Sequence, residues 1–228
     1  MKISEIFHSL QGEGKLAGVP SVFVRTSGCN LRCVWCDSPY TSWSPEGDEM
    51  TIDAIVERAR EFSCEYVVLT GGEPLIAPGV EELTRRLRDA GFHLTIETAG
   101  TVWKNVVCDL VSISPKLANS TPRQRDGGRF AEAHERNRIN IETIRQFMKL
   151  DDYQLKFVVD APSDLDEIVE LMSVIGGVET SNVLFMPQGV TVNELAAKGR
   201  WVADLCREHG FRYCPRLHIE LYGNTRGT

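Results

Sequence analysis

From Tyr66 onward the chain repeats one pattern, a short apolar run followed by a segment whose apolar residues recur at helical spacing, and this alternation limits the folds open to it. Tyr66 to Thr70, Phe92 to Glu97, Leu110 to Ser114, Gln154 to Asp160, Asn182 to Met186 and Arg212 to Leu217 read as strands. Val80 to Ala90, Ile139 to Leu150 and Val192 to His209 read as helices, as does a stretch capped by Ser163 that carries Leu165, Ile168, Val169 and Met172. Ahead of them lie two more strands, Ile3 to Phe7 and Ser21 to Arg25, and a helix opening at Thr51 with Ile52, Ile55, Val56, Ala59 and Phe62 on one face. Repeated strand–helix units imply parallel strands joined by right-handed crossovers. The units are too few for eight, so the expectation is an α/β fold, a partial, open (β/α) barrel. About a dozen residues separate Glu97 from Leu110, near the minimum for a parallel crossover, so that connection should be short and poor in helix.

The second strand runs into Cys29-Asn-Leu-Arg-Cys33-Val-Trp-Cys36, where three thiols fall within eight residues. Thiolates this close in sequence can wrap one small inorganic centre, and thiolate is the ligand that iron–sulfur clusters require. Four cysteines complete a cubane; three leave one iron open to chelation by a small molecule. The rival is structural zinc, which usually takes four ligands, commonly as two Cys-x-x-Cys pairs, and there is no second pair. A disulfide framework does not suit a chain whose opening, Met1-Lys-Ile-Ser-Glu-Ile-Phe, has no apolar signal region. Cys64, Cys108, Cys206 and Cys214 have no partner at ligand spacing and read as ordinary free thiols.

With 228 residues and 42% hydrophobic content the chain can bury one substantial core, so one domain over 1–228 is expected. No run approaches the ~18 apolar residues of a membrane span, and the expectation is a cytoplasmic protein. A formal charge of −7 argues against nucleic acid or an anionic membrane as partner and for a small-molecule substrate. The dense charged segment Arg123 to Arg138 mixes both signs and reads as a solvated loop and helix start.

In parallel barrels chemistry collects at the carboxyl ends of the strands. Those ends carry the cysteine loop, Thr70-Gly71-Gly72-Glu73, Glu97-Thr98-Ala99-Gly100, Ser114-Pro115-Lys116 and Met186-Pro187-Gln188-Gly189. Gly71 and Gly72 permit close backbone approach, and a carboxylate at Glu73 can accept from a ligand ammonium.

The cysteine spacing together with Gly71-Gly72-Glu73-Pro74 resembles the radical S-adenosylmethionine (SAM) enzymes. A narrower likeness lies in Glu5-Ile-Phe-His-Ser-Leu-Gln11-Gly-Glu13-Gly, Gly18-Val-Pro20, Phe23-Val-Arg25 and Gly28 to Asp37, with Ser114-Pro-Lys116, Leu217-His-Ile219 and Gly223-Asn224. These residues, spread over essentially the whole chain, resemble the 7-carboxy-7-deazaguanine synthases. That resemblance implies a partial barrel of the radical SAM type and ring contraction of 6-carboxy-5,6,7,8-tetrahydropterin with loss of ammonia, a step toward queuosine. The radical is carried by SAM and not by a protein side chain. Carried over by motif, Cys29, Cys33 and Cys36 hold a 4Fe-4S cluster. Trp35, Cys36, Asp37, Gly72, Glu73, Ser114, Pro115, Lys116 and the Met186-Pro187-Gln188-Gly189 turn contact SAM. Leu10, Gln11, Gly12, Glu13, Arg25 and Thr70 bind the pterin, and the chain end at Thr228 closes the pocket. The family further implies Mg2+, a homodimer, and an electron donor of the flavodoxin or ferredoxin kind. One departure is visible: the family usually has Thr after the Cys-Asp pair, and Ser38 stands here. Its hydroxyl can still touch magnesium, without the methyl that restrains the rotamer. Two other readings are a glycyl-radical activase, which shares cluster and SAM but acts on a protein backbone, and a metal-binding module without catalysis.

Overall fold

The computed structural model describes residues 1–228. In chain order its strands and helices are β1 (Lys2–Leu10), β2 (Pro20–Thr26), α1 (Pro39–Ser42), β3 (Asp48–Glu49), α2 (Ile52–Arg60), β4 (Tyr66–Gly71), α3 (Val80–Asp89), β5 (His93–Thr98) and β6 (Leu110–Ile113). There follow α4 (Ala131–Asn137), α5 (Ile141–Phe147), β7 (Tyr153–Val159), α6 (Asp164–Ile175), β8 (Val183–Pro187), α7 (Val192–His209), β9 (Arg212–Tyr213) and α8 (Leu217–Tyr222). One sheet of nine strands in the order β3-β1-β2-β4-β5-β6-β7-β8-β9 holds them all, and its two edge strands do not meet. The expected open α/β barrel is therefore what forms, and the β5–β6 connection carries no helix.

β1 joins β2 antiparallel, since only residues 11–19 connect them and a parallel return needs a dozen or more. Three expectations need correction. The last strand stops at Tyr213: Pro215 has no N–H for the ladder, and Leu217 opens α8 with its N–H on the Gly12 carbonyl (2.9 Å). Ser163 does not cap α6; it has helical φ and ψ (−64°, −17°) and no capping bond. The Asp164 carboxylate instead takes the N–H groups of Asp160 (2.7 Å) and Ala161 (3.0 Å). The segment 123–138, read as solvated, contains α4, whose His134 is buried against the cysteine loop.

The strands alternate with period two, and both faces have work to do. One set, Val22, Val24, Val67, Leu69, Leu94, Ile96, Val111, Ile113, Leu155, Phe157, Val183 and Phe185, forms the main core with Ile55, Leu83, Leu87, Ile144, Phe147, Ile168 and Val202 of the covering helices. The other set points into the concave side of the sheet. Register places Arg25 beside Thr70, Glu97 beside Ser112, and Ser112 beside Gln154. Polar side chains thus occupy the inner face because a cavity, not a second hydrophobic layer, lies against it.

Candidate active site

A cavity of about 440 Å³ opens at the carboxyl ends of the parallel strands, and all three clustered cysteines lie on its wall. The loop that carries them is fixed from two sides. Gly72, just past the end of β4, lies against it: a Cβ there would stand 2.2 Å from the Gly28 carbonyl oxygen and 2.8 Å from Cys29 Cβ. The Glu73 N–H donates to the same carbonyl (2.9 Å). From the other side, Val34 N–H donates to the Ser120 carbonyl (2.8 Å), and Trp43 Nε1 to the Cys33 carbonyl (3.0 Å). Burial pushes the Cys29 and Cys33 thiols up to about 12, so they ionise only against a strong local cation. No three His, Cys, Asp or Glu side chains converge closely enough to hold a single metal ion. Three thiols spread along one wall suit the corners of a larger cluster.

Opposite the thiols, polar side chains are held in defined directions. Glu97 accepts from Gln11 Nε2 (3.1 Å) and from Thr70 Oγ1 (2.8 Å), while Gln11 Oε1 accepts from the Glu13 N–H (3.1 Å). Those contacts set which end of the Gln11 amide is the donor. Arg25 donates through Nε to Glu5 (2.6 Å), which also accepts from Tyr40 (2.8 Å), and its two terminal amino groups make no hydrogen bond within the protein.

Between these walls sits a buried charge network. Glu13 receives Lys156 on one oxygen and Arg216 Nε on the other (3.0 Å); Arg216 also donates to Asp37 and to the Gly189 carbonyl (2.6 Å). Two cations and two carboxylates balance: Glu13, Lys156 and Arg216 are withdrawn from water, while Asp37, 42% exposed, faces the cavity. Burial alone would raise the Glu13 carboxyl, but Lys156 and then Arg216 more than reverse it and hold it well below the usual carboxylate range. His218 lies 4.0 Å from Glu13 and is lowered chiefly by burial. The residues after α8 cross the cavity mouth, where Arg226 lies over the Tyr40 ring (4.2 Å) and pairs with Glu46 (3.1 Å).

Of the residues expected from sequence, the wall brings together Leu10, Gln11, Gly12, Glu13, Arg25, Cys29, Cys33, Trp35, Cys36, Asp37, Ser38, Thr70, Gly72, Ser114, Lys116, Met186 and Thr228. Five others stand off it. Glu73 is fully buried and off the wall, and it accepts from Leu75 N, Thr98 Oγ1 and Ala99 N, three of its roughly four acceptor positions. Pro115 and Pro187 are not on the wall, Gln188 accepts from Lys198 (2.7 Å), and Gly189 packs on α7, where a Cβ would meet Glu194 at 2.9 Å. Glu13, though on the wall, has both oxygens on protein cations, so substrate binding is not its first employment. Lys156, Arg216, His218 and Tyr40 line the cavity without having been expected there. For Lys156 a signal existed, a lone cation inside the apolar run Leu155 to Val159. For Arg216 there was none.

The chain matches the family model described as the Radical SAM superfamily over residues 23–196. It is 48% identical over 227 residues to a 7-carboxy-7-deazaguanine synthase of Rhodopirellula baltica, covering 99% of this chain and 88% of that one. A 7-carboxy-7-deazaguanine synthase of Halobacterium salinarum is 46% identical, over 100% of this chain and 93% of the relative. Among solved structures, QueE from Escherichia coli superposes with a TM-score of 0.69 at 24% identity, covering 95% of this chain and 94% of that one, a likeness of fold. With the family match and two full-length relatives in agreement with the thiol-lined cavity, the chain belongs to the 7-carboxy-7-deazaguanine synthases, radical SAM enzymes.

Proposed function

We propose that this enzyme contracts the ring of 6-carboxy-5,6,7,8-tetrahydropterin to 7-carboxy-7-deazaguanine with loss of ammonia, in the route to queuosine. The observation that carries the reading is one cavity with three cluster thiols on one wall and the Arg25, Gln11, Thr70 and Glu97 set on the other. Cys29, Cys33 and Cys36 would hold the 4Fe-4S cluster, and the backbone at Gly72 with Trp35, Ser114, Lys116 and Met186 would hold SAM. Together these groups supply a hydrogen-abstracting radical when bound.

The chain's own part is recognition and enclosure. The uncommitted end of Arg25 offers two parallel N–H groups, the geometry a carboxylate takes up. Glu97 spends two of its roughly four acceptor positions on Gln11 and Thr70 and keeps the rest for ring N–H and amino groups. Tyr40, His218 and the segment after α8 narrow the mouth and exclude water, so that reacting atoms meet in contact geometry. Ser38 would supply one oxygen to Mg2+, the remainder coming from water and substrate, with the ion acting as a template.

No helix is long and apolar enough to cross a membrane. We place the enzyme in the cytoplasm, where its seven free thiols stay reduced, as a homodimer served by a flavodoxin or ferredoxin. The test is an anaerobic turnover assay with SAM, dithionite and the carboxypterin. Formation of 7-carboxy-7-deazaguanine is expected; SAM cleavage that the pterin neither stimulates nor consumes would refute the substrate.

A further inference from the structure

The charged segment 123–138 contributes nothing to the cavity wall, yet one of its members is nearly inaccessible: His134 is only 2% exposed, and Ser120 just before the segment is fully buried. Their hydrogen bonds form one directed chain. Ser120 Oγ donates to the Leu117 carbonyl (2.6 Å), so it accepts from His134 Nε2 (2.9 Å), and Nδ1 of the same ring is left to accept the Arg32 N–H (3.1 Å). The Ser120 carbonyl takes the Val34 N–H (2.8 Å). Arg32 and Val34 flank Cys33. One histidine–serine pair therefore draws outward the amides on both sides of the middle cysteine.

We propose that His134 and Ser120 are the positioning residues for Cys33. By fixing the amides on either side of it they aim its thiol into the cavity and tie the loop to the turn after Ser114-Pro-Lys116, where Leu117 lies. The proposal rests on the reading of Cys29, Cys33 and Cys36 as cluster ligands, and not on the identity of the pterin. Groups that orient metal ligands without touching the metal set both its retention and its potential.

The experiment compares His134→Leu, His134→Asn, Ser120→Ala and Cys33→Ala after anaerobic reconstitution with iron and sulfide. It reads iron per chain, the rate of iron loss to a chelator, the cluster midpoint potential, and thermal melting of the metal-free chain. His134→Leu should lose iron at least ~10-fold faster and shift the potential. His134→Asn keeps an acceptor near the position of Nδ1 and should recover most of the retention, with Ser120→Ala between the two. Wild-type retention and potential in a folded His134→Leu overturn the proposal. So does an Asn variant no better than Leu while both metal-free chains melt like wild type. If His134→Leu does not fold, Ser120→Ala decides, and wild-type values there overturn the pair. Cys33→Ala separates the two levels: if it retains wild-type iron, the ligand reading fails and the positioning role falls with it; if it loses iron while His134→Leu does not, only the positioning role is wrong.

Discussion

Arg25 and Glu73 illustrate what residue type and position can disclose. Both looked like ligand-binding charges, and they are used in opposite ways. Arg25 holds itself in place through Nε and presents its other two nitrogens to the cavity. Arg25→Lys keeps the charge but not the planar fork. Losing a charge-assisted bond worth about 1.5–3 kcal/mol should weaken pterin binding by ~10-fold or more, with iron content and SAM affinity unchanged. Undiminished pterin affinity by calorimetry would remove the carboxylate contact. Glu73 is the inverse case, a buried carboxylate that already accepts from Leu75, Thr98 and Ala99. Glu73→Gln sets an amide group against one of those donors, so stability to urea should fall by about 1–3 kcal/mol while SAM affinity of the folded protein moves little. A large loss of SAM affinity at unchanged stability would return the side chain to the ligand. The Gly-Gly-Glu motif was legible, but which of its atoms faces the ligand was not, since that depends on a strand end packing against residues more than forty positions earlier.

Among the elements, turns proved harder to read than periodic segments. The apolar periodicity located α2, α3, α6 and α7 and the parallel strands, because burial of one face is written into the residue order itself. Caps and short strands depend on one or two bonds and were misread at Ser163 and beyond Tyr213. The two helix starts make a clean comparison. Thr191 and Glu194 form a reciprocal capping box at the head of α7, whereas Ser163 bonds nothing at the head of α6. Thr191→Ala should cost about 1 kcal/mol in urea denaturation and Ser163→Ala less than about 0.5. Equal costs would reinstate Ser163 as a cap. Gly72 is the other element-level constraint, since the end of β4 and the cysteine loop approach too closely for any Cβ. Gly72→Ala meets backbone and not a yielding side chain, so the loop must move. The metal-free chain should still fold, with iron uptake falling well below wild type, and full uptake would show that the loop tolerates displacement.

On the scale of the whole molecule, the buried charges hold together parts that are far apart in the chain. Glu13, Asp37, Lys156, Gly189 and Arg216 come from five different stretches and meet in one network. No local pattern announces it, which is why Arg216 was invisible while the cysteines were not, and why the Leu217-His-Ile219 stretch gave no role to its histidine. Its pH dependence follows from Glu13, whose folded pKa is depressed below its unfolded value by Lys156 and Arg216 against the effect of burial. Stability from that group is complete above the unfolded carboxylate range near pH 4.5 and drains away as pH falls toward the lower folded value. Glu13→Gln should be less stable at pH 7 by about 3–5 kcal/mol, because two buried cations lose a partner, and its melting temperature should fall less steeply below pH 4.5. Parallel acid limbs in the two proteins would place the linkage elsewhere.

The Arg216–Asp37 pair spans 179 positions, and it has a consequence in time. A ribosome delivers Asp37, just after the three cysteines, 179 residues before the arginine that locks their loop's exit, while domains close as units and contacts of long separation form late. Over that interval the loop carrying the thiols gains Trp43, Gly72 and Ser120 in turn, and Arg216 last. The local supports of the cluster loop can thus form before the pair that locks its exit, and for that interval the thiols stand open to copper, zinc or oxidant.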